Sequence, residues 1–487
     1  MSPSTHLFSS FSRISQKTGI RTKNCHQYRL ILDMETHKAL VLEAFATPLV
    51  LKDVPTPTVT PGSALVAPLY AWLPQTLPMV LSGALKDFVS SLSLCFYFSS
   101  LQCFRFTPPL CTSCYLHHLI YRPRNPDHNL TARVSLNIDT ISPHSNTIEA
   151  YHPHIIPAKK TQLPTFPPYI PGYSCVARIL TLPADATTLC VGDLVWVDPM
   201  IRGRDNPSAE TVRSFNGGRD PSSQILIKGV WNSGAYAEKL LVPLEGLFKI
   251  PEEWMHDKSE GGKGFKIQEF ALSGYYLLAI GGLATAGVGA GDTVIIAPAT
   301  GKYSSAAVLI ALAIGCRVIA TGRSAEKLNV LKRYHGAKDK LSTVILTGDM
   351  DLDAKALEDA TGGKGAELFV DYSPTTMREE PPYLTAGLKS LRRGGEYLLL
   401  GGALTDLKIP YGEIMLRELR IRGKFMWGRE HVELFLRLIG TGSLKVGAEA
   451  GILDRLKSFR MDEVEESLKE ESEWAYDEER LLKPNME

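Results

Sequence analysis

Between residues 293 and 427 the chain alternates short, unbroken apolar runs with longer mixed stretches. Thr293–Ala297 (TVIIA), Arg317–Thr321 (RVIAT), Glu367–Tyr372 (ELFVDY) and Gly394–Gly402 (GGEYLLLGG) read as strands, with Leu419–Trp427 (LRIRGKFMW) as a further one. Runs this short and this apolar suit strands of a parallel sheet that is covered on both faces. The Ala/Leu/Ile-rich segment after Gly301, Ser324–Tyr334 and the stretch before Arg392 read as helices. Strand and helix signals in alternation predict βαβ units and a doubly wound sheet. Elsewhere, Lys38–Glu43 reads as a strand and Pro221–Lys228 as a strand or a linker. The charge-rich Asp454–Arg480 reads as an amphipathic helix with Leu456, Phe459, Val464 and Leu468 facing inward.

The connection after Thr293–Ala297 carries the first chemical signal. A tight turn at Gly301 between a strand and a helix places a phosphate group on a helix N-terminus, as dinucleotide-binding turns do. With Gly301 in the central slot of a G-x-G-x-x-G pattern, Ala299 takes the first slot and Ser304 the third. Ser is small enough for close helix–strand packing. Ala299, following Pro298, lacks the freedom of glycine at positive φ, so the first turn must differ in detail. An ordinary buried βαβ without ligand is the alternative for this turn alone. The next strand ends in Gly322-Arg323-Ser324, with Lys327 close by and no carboxylate at its tip. An acid there would serve a ribose 2′-hydroxyl, whereas an Arg suits a 2′-phosphate. Candidate cofactor contacts are therefore Thr300, Gly301, Lys302, Tyr303 and Ser304, then Gly322, Arg323, Ser324 and Lys327. Tyr372, Gly401 and Gly402 stand at later strand ends, where the nicotinamide half would lie. The expected cofactor is NADP(H).

Several further stretches carry a resemblance. Lys38–Val66, Tyr169–Ile179 (YIPGYSCVARI), Val191–Pro199 (VGDLVWVDP), Ser233–Pro251 and Gly287–Gly301 (GVGAGDTVIIAPATG) occur in the order found in the medium-chain dehydrogenase/reductase superfamily. The chain resembles that superfamily over most of its length, and specifically its zinc-independent quinone/enoyl reductase-like branch. The resemblance implies an α/β fold in which a doubly wound parallel Rossmann sheet is inserted in a GroES-like, mainly β catalytic domain. It implies an active site between the two and an oxidoreductase that passes a hydride to an enone, quinone or small carbonyl substrate. The corresponding division is 34–85 with 161–270 for the GroES-like part, 271–424 for the Rossmann part and 425–487 for a return to the catalytic domain.

Zinc-dependent members of the superfamily place a Cys, a His-Glu pair and a later Cys or acid around the metal, and such a site needs three protein ligands. Here the His-Glu slot after Pro171-Gly172 holds Tyr173-Ser174, and the first-Cys slot falls in Leu73–Gly83, which has no Cys. The four-Cys structural-zinc lobe is also absent between Pro199 and Gly234. Cys175 and Cys190 read as small core residues. The expectation is that no metal is bound. Negative charge developing on a substrate oxygen would then be held by hydroxyl, cationic or backbone N–H donors. Tyr173 is the first candidate donor, because it occupies a metal ligand's slot, and Ser82 and Ser174 are the second. A half-buried aromatic with a structural hydrogen bond is the competing account of Tyr173. Arg202 and Arg204 could meet an acidic substrate, but a solvated loop is the plainer account.

A net charge of +1 leaves no electrostatic footprint for nucleic acid. No apolar window is long enough to cross a membrane, so the expected partners are a small-molecule substrate and, by resemblance, a second copy in a homodimer. Lys86–Lys160 is anomalous: its 75 residues contain no Gly but hold four of the eight Cys and six of the twelve His. It splits the superfamily-like sequence and reads as an unstructured insertion. A lid, a metal module around Cys111-x-x-Cys114 and translated non-coding sequence remain open, the last favoured. Residues 1–33 are basic, rich in Ser and Thr and free of acid until Asp33, which resembles a mitochondrial transit peptide. A start at Met34 and a cytoplasmic protein is the favoured alternative. The degenerate turn and the insertion also leave open a non-catalytic or inactivated dinucleotide-binding chain.

Overall fold

The computed structural model describes residues 35–74, 77–82, 167–214, 220–374, 377, 379–403, 405–451, 455–469 and 478–485. The N-terminal extension and the 86–160 insertion lie outside the described residues.

The chain opens with an antiparallel hairpin of β1 (Thr36–Leu42) and β2 (Leu49–Pro55). The long β3 (Ser63–Leu73), then β4 (Cys175–Thr181) and β5 (Leu194–Val197), begin a mainly antiparallel sheet. A small ribbon, β6 (Met200–Arg202) with β7 (Glu210–Val212), follows, and β8 (Leu240–Pro243) and β9 (Leu247–Lys249) complete the first half.

The second half holds β10 (Thr293–Ala297), β11 (Arg317–Gly322), β12 (Leu341–Ile345), β13 (Ala366–Asp371), β14 (Leu391–Leu399) and β15 (Arg420–Gly423). All five pairings among them are parallel, in the order β12-β11-β10-β13-β14-β15. That is the doubly wound order, with its switch point beside β10. Every residue of β10 is buried, as its unbroken apolar run predicts for a sheet with both faces covered. The helix Lys302–Ala313 is buried on all sides from Ser304 to Leu312, which its Ala, Leu and Ile content permits.

The chain then returns to the first sheet. Strands β16 (Arg455–Arg460) and β17 (Glu478–Lys483) pair in parallel, and β17 adds antiparallel to β3, with Leu481 opposite Trp72. The seven-stranded sheet runs β16-β17-β3-β4-β5-β9, with β8 also paired to β3. One continuous core runs from Leu69, Trp72 and Tyr173 in this sheet to Val294, Val308 and Leu398 in the other half.

Three sequence expectations need correction. Asp454–Arg480 is no single helix. Its described part is strand β16, a short helix Val464–Lys469 and the start of β17. Long-range pairing with β3 overrides the local helical spacing, although Val464 and Leu468 do pack inward. Residues 223–229 form a helix rather than a strand or linker. Cys190 is exposed, whereas Cys175 and Cys316 are buried.

Candidate functional site

The turn after β10 passes through a cis Ala297–Pro298 peptide. Ala299 then donates its N–H to the Thr321 carbonyl at 2.6 Å, pinning the turn to β11. Gly301 is the N-cap of the Lys302–Ala313 helix, in an extended conformation (φ −84°). No left-handed geometry is required there, and a Cβ would meet only the Ser304 hydroxyl, at 3.2 Å. Ser304 accepts the Gly301 N–H at 3.0 Å and donates to the Gly301 carbonyl at 3.1 Å. The third-slot serine thus rigidifies the turn as well as fitting it. The helix that starts with Lys302 and Tyr303 turns its N-terminus to this loop, the end of a helix at which an anion is favoured.

Beyond the carboxyl ends of β10 and β11 lies a cavity of about 690 Å³. Thr300, Gly322, Arg323, Ser324 and Lys327 line it. Arg323 is exposed at the strand tip and forms no ion pair among the described residues. Ser324 caps the next helix by accepting the Lys327 N–H at 3.3 Å. Sequence reasoning missed the opposite wall, where Tyr383, Glu379 and Glu380 complete the cavity. Burial pushes the Tyr383 phenol up to about 12, and its hydroxyl lies 2.7 Å from that of Ser373. Three acids, Asp353, Glu379 and Glu380, line the cavity with two bases, Arg323 and Lys327, a mixture no strand-tip motif announces.

Tyr372, Gly401 and Gly402 converge at the ends of β13 and β14. Tyr372 donates its N–H to the Ala297 carbonyl at 2.7 Å, and its buried hydroxyl has no hydrogen-bond partner among the described residues. Gly402 donates to the Ser373 carbonyl at 2.8 Å. A Cβ on Gly401 would stand 2.6 Å from the Ser373 nitrogen and 2.8 Å from an Asp371 carboxylate oxygen, so only glycine lets these two strand ends cross.

Facing the turn from the seven-stranded sheet is a cluster of rings. Trp72, near the end of β3, makes edge contacts with Tyr173 at 6.3 Å, Tyr275 at 4.9 Å and Tyr303 at 6.4 Å. Tyr173 is 8% exposed and Ser174 only 1%. The Ser174 carbonyl accepts the Trp72 N–H, so it serves the sheet edge. Ser82 is exposed just beyond the short helix Leu77–Leu81 and stands outside the cluster. Among the proposed catalytic residues, only Tyr173 joins this cluster.

Beneath the rings lies a charge pair. Lys302 forms an ion pair with Glu479 of β17 and donates to the Glu478 carbonyl at 2.6 Å. The Glu479 side chain is 1% exposed and accepts the Tyr275 hydroxyl at 3.1 Å. Burial pushes the Glu479 carboxyl up, against the pull of Lys302. Burial, with the Glu479 charge beside it, also raises the Tyr275 phenol well above its ordinary range. Glu479 and Tyr275 had no sequence signal, since an EER run reads as solvent-facing and positions 72, 173, 275 and 479 meet only through the fold. Arg202 and Arg204 are not a free loop pair. Arg202 is half-buried and donates to the Trp427 carbonyl, and Arg204 binds Glu245 and the Gly62 carbonyl.

A doubly wound sheet whose phosphate-type turn faces a second, mainly antiparallel sheet defines a dinucleotide-dependent oxidoreductase of two lobes. A family profile described as zinc-binding dehydrogenase matches residues 304–441. The chain is 25% identical over 283 residues to L-threonine 3-dehydrogenase of Colwellia psychrerythraea, covering 58% of this chain and 73% of that protein. It is 26% identical over 216 residues to acryloyl-coenzyme A reductase of Sulfurisphaera tokodaii, covering 44% and 56%. A structure from Sinorhizobium meliloti, described as a zinc-binding dehydrogenase bound to NADP, superimposes with a TM-score of 0.56 at 17% identity, covering 93% of this chain and all of that one. These matches support an alcohol-dehydrogenase-like oxidoreductase similar to members of the medium-chain dehydrogenase/reductase superfamily.

The cofactor class of such an enzyme is a nicotinamide dinucleotide, and the residues present fit one: a helix N-terminus at the turn, a cavity at the strand ends and a crossing kept open by Gly401. The zinc in the family's description finds no comparable donor set. Among the described residues no three His, Cys, Asp or Glu stand close enough to hold a metal ion. The only cysteine beside the Tyr173 slot, Cys175, is fully buried, and burial pushes its thiol up to about 12.

Proposed function

We propose that this chain is a zinc-independent NADP(H)-dependent oxidoreductase that transfers a hydride to an enone, quinone or small carbonyl compound. The observation that carries the cofactor choice is Arg323, exposed at the tip of β11 in a cavity it shares with Lys327, while the tip itself, Gly322-Arg323-Ser324, has no carboxylate for a ribose hydroxyl. When bound, the dinucleotide supplies the hydride. The chain's own residues do the rest. Lys302 and Tyr303 offer first-turn N–H groups to the pyrophosphate, Arg323 and Lys327 hold the 2′-phosphate, and Tyr372 with Gly401 and Gly402 borders the nicotinamide. The ring cluster of Trp72, Tyr275 and Tyr303 excludes water from the reacting face, which strengthens each polar contact there. Tyr173 is assigned to donate a hydrogen bond to the substrate oxygen as negative charge builds on it. Such a donor is worth about 10²–10³ in turnover.

NADPH oxidation against a panel of conjugated enones, quinones and small aldehydes, before and after exhaustive EDTA dialysis, tests the reading. Turnover that survives dialysis on at least one class supports it. Turnover lost with the metal and restored by Zn²⁺ contradicts it.

A further inference from the structure

The turn that receives the pyrophosphate carries a lysine where the G-x-G-x-x-G pattern leaves the residue open. Lys302 is the first residue of the helix. Its ammonium therefore stays within about one Debye length, ~8 Å, of the helix N-terminus. Yet the side chain bends across to the other lobe, to Glu479 and the Glu478 carbonyl, and is only 15% exposed there. Glu479 is a poor place for a bare carboxylate. It is 0% exposed, it is the second residue of β17, and the Tyr275 hydroxyl donates to it. Charges this deeply withdrawn from water act on one another, and on a neighbouring anion, through a low effective dielectric.

We infer that Lys302 and Glu479 form a charge governor for dinucleotide affinity. Lys302 supplies positive potential at the pyrophosphate, and Glu479 offsets that charge, so the turn attracts the dinucleotide without over-holding it. The inference rests on the dinucleotide reading proposed above. Its functional sense is release. Where product departure limits turnover, a cofactor site that binds too tightly slows the enzyme. Glu479 is a positioning residue here, acting on the dinucleotide through Lys302, and the pair also ties the first turn of the helix to β17.

The governor and a plain structural strut make different predictions. A strut loses something whichever partner is removed, so both single variants would weaken binding or leave it unchanged. A governor gives opposite signs. Glu479→Gln removes the offset and keeps a group that can accept from Tyr275, so NADPH and ADP should bind about tenfold more tightly. Lys302→Met leaves Glu479 unopposed and should weaken both by a similar factor. The double variant Lys302→Met/Glu479→Gln, again neutral, should return near the wild-type affinity. Adenosine 2′-monophosphate, which has no pyrophosphate, should respond far less to any of the three. The full-length chain is titrated at low and high salt, by nicotinamide fluorescence for NADPH and by calorimetry for the others. Opposite shifts that shrink with salt support the governor. Shifts of the same sign, or none, overturn it. Wild-type protein that binds neither NADPH nor ADP would instead refute the dinucleotide reading beneath it, so the two failures are distinct. If Glu479→Gln fails to fold, the sign and salt response of Lys302→Met, with adenosine 2′-monophosphate unchanged, still decide.

Discussion

At the carboxyl ends of β10 and β11 the chain leaves charged side chains open to a 690 Å³ cavity, whereas at the ends of β3 and β4 it packs ring against ring around Trp72. The first region keeps what a phosphorylated cofactor needs: an exposed Arg323, a helix N-terminus and a turn locked by Ser304. In the zinc-independent reading proposed above, the second offers a hydroxyl rather than metal ligands, with Tyr173 beside a buried Cys175. The difference teaches that the two lobes would serve the reaction by different means. Dinucleotide chemistry is met largely by backbone and strand topology, while metal chemistry depends on a few side chains and disappears when they change.

Four substitutions sharpen or break that contrast. The largest effect is expected from Tyr173→Phe, which should lower turnover about 10²-fold and leave dinucleotide affinity unchanged, as initial-rate kinetics beside a binding titration would show. Unaltered turnover would return Tyr173 to a purely packing role. On the opposite wall, Arg323→Ala should weaken NADPH by roughly 10–100-fold and NADH by little, the worth of charge-assisted hydrogen bonds to one phosphate. Equal losses for both cofactors would detach Arg323 from the 2′-phosphate.

The third substitution concerns the seam between the lobes. Asp198 is 2% exposed, accepts the Trp427 indole N–H at 3.2 Å, and is pushed up by burial to about 6. A carboxyl raised in the folded state contributes stability that is fully present below its unfolded pKa, near 3.8, and is lost as pH rises through about 6. Asp198→Asn should therefore flatten the thermal-stability profile between roughly pH 4 and 6, a slope worth about 3 kcal/mol. An unchanged slope would mean that Asp198 does not titrate in that range. The smallest effect is expected from Gly401→Ala, which forces a Cβ onto the Ser373 nitrogen at 2.6 Å. Overpacking of that kind costs about 1–3 kcal/mol, readable as a lower melting temperature. If melting is unaltered, the strand ends have room that their ligand-free spacing conceals.

The Rossmann half was legible because its strands are short apolar runs and its chemistry sits in local turns. Thr293–Ala297 and the Gly322-Arg323-Ser324 tip can be read in a window of a few residues. The seven-stranded sheet was legible only through the resemblance of its segments, since β3 and β17 are partners more than 400 residues apart and pairing leaves no local trace. The same distance hid Glu479. A buried Glu-Glu-Arg run contradicts the ordinary sense of charge in a sequence, and Lys302 and Lys457 resolve it only once the chain is folded. The misread helix at 454–480 follows from this, because helical spacing was weighed without the strand that captures its ends. The ring cluster shows the intermediate case. Tyr173 was marked by its slot, whereas Trp72 and Tyr275 had no motif and became visible only as its neighbours.

The contrast between the two walls reduces to one titration. Full-length protein, dialysed against EDTA, is titrated with NADPH and NADH while nicotinamide fluorescence is followed. The account predicts saturable NADPH binding at least about tenfold tighter than NADH, the difference expected from one or two cationic contacts to a phosphate. Equal affinities, or NADH the tighter, would contradict it.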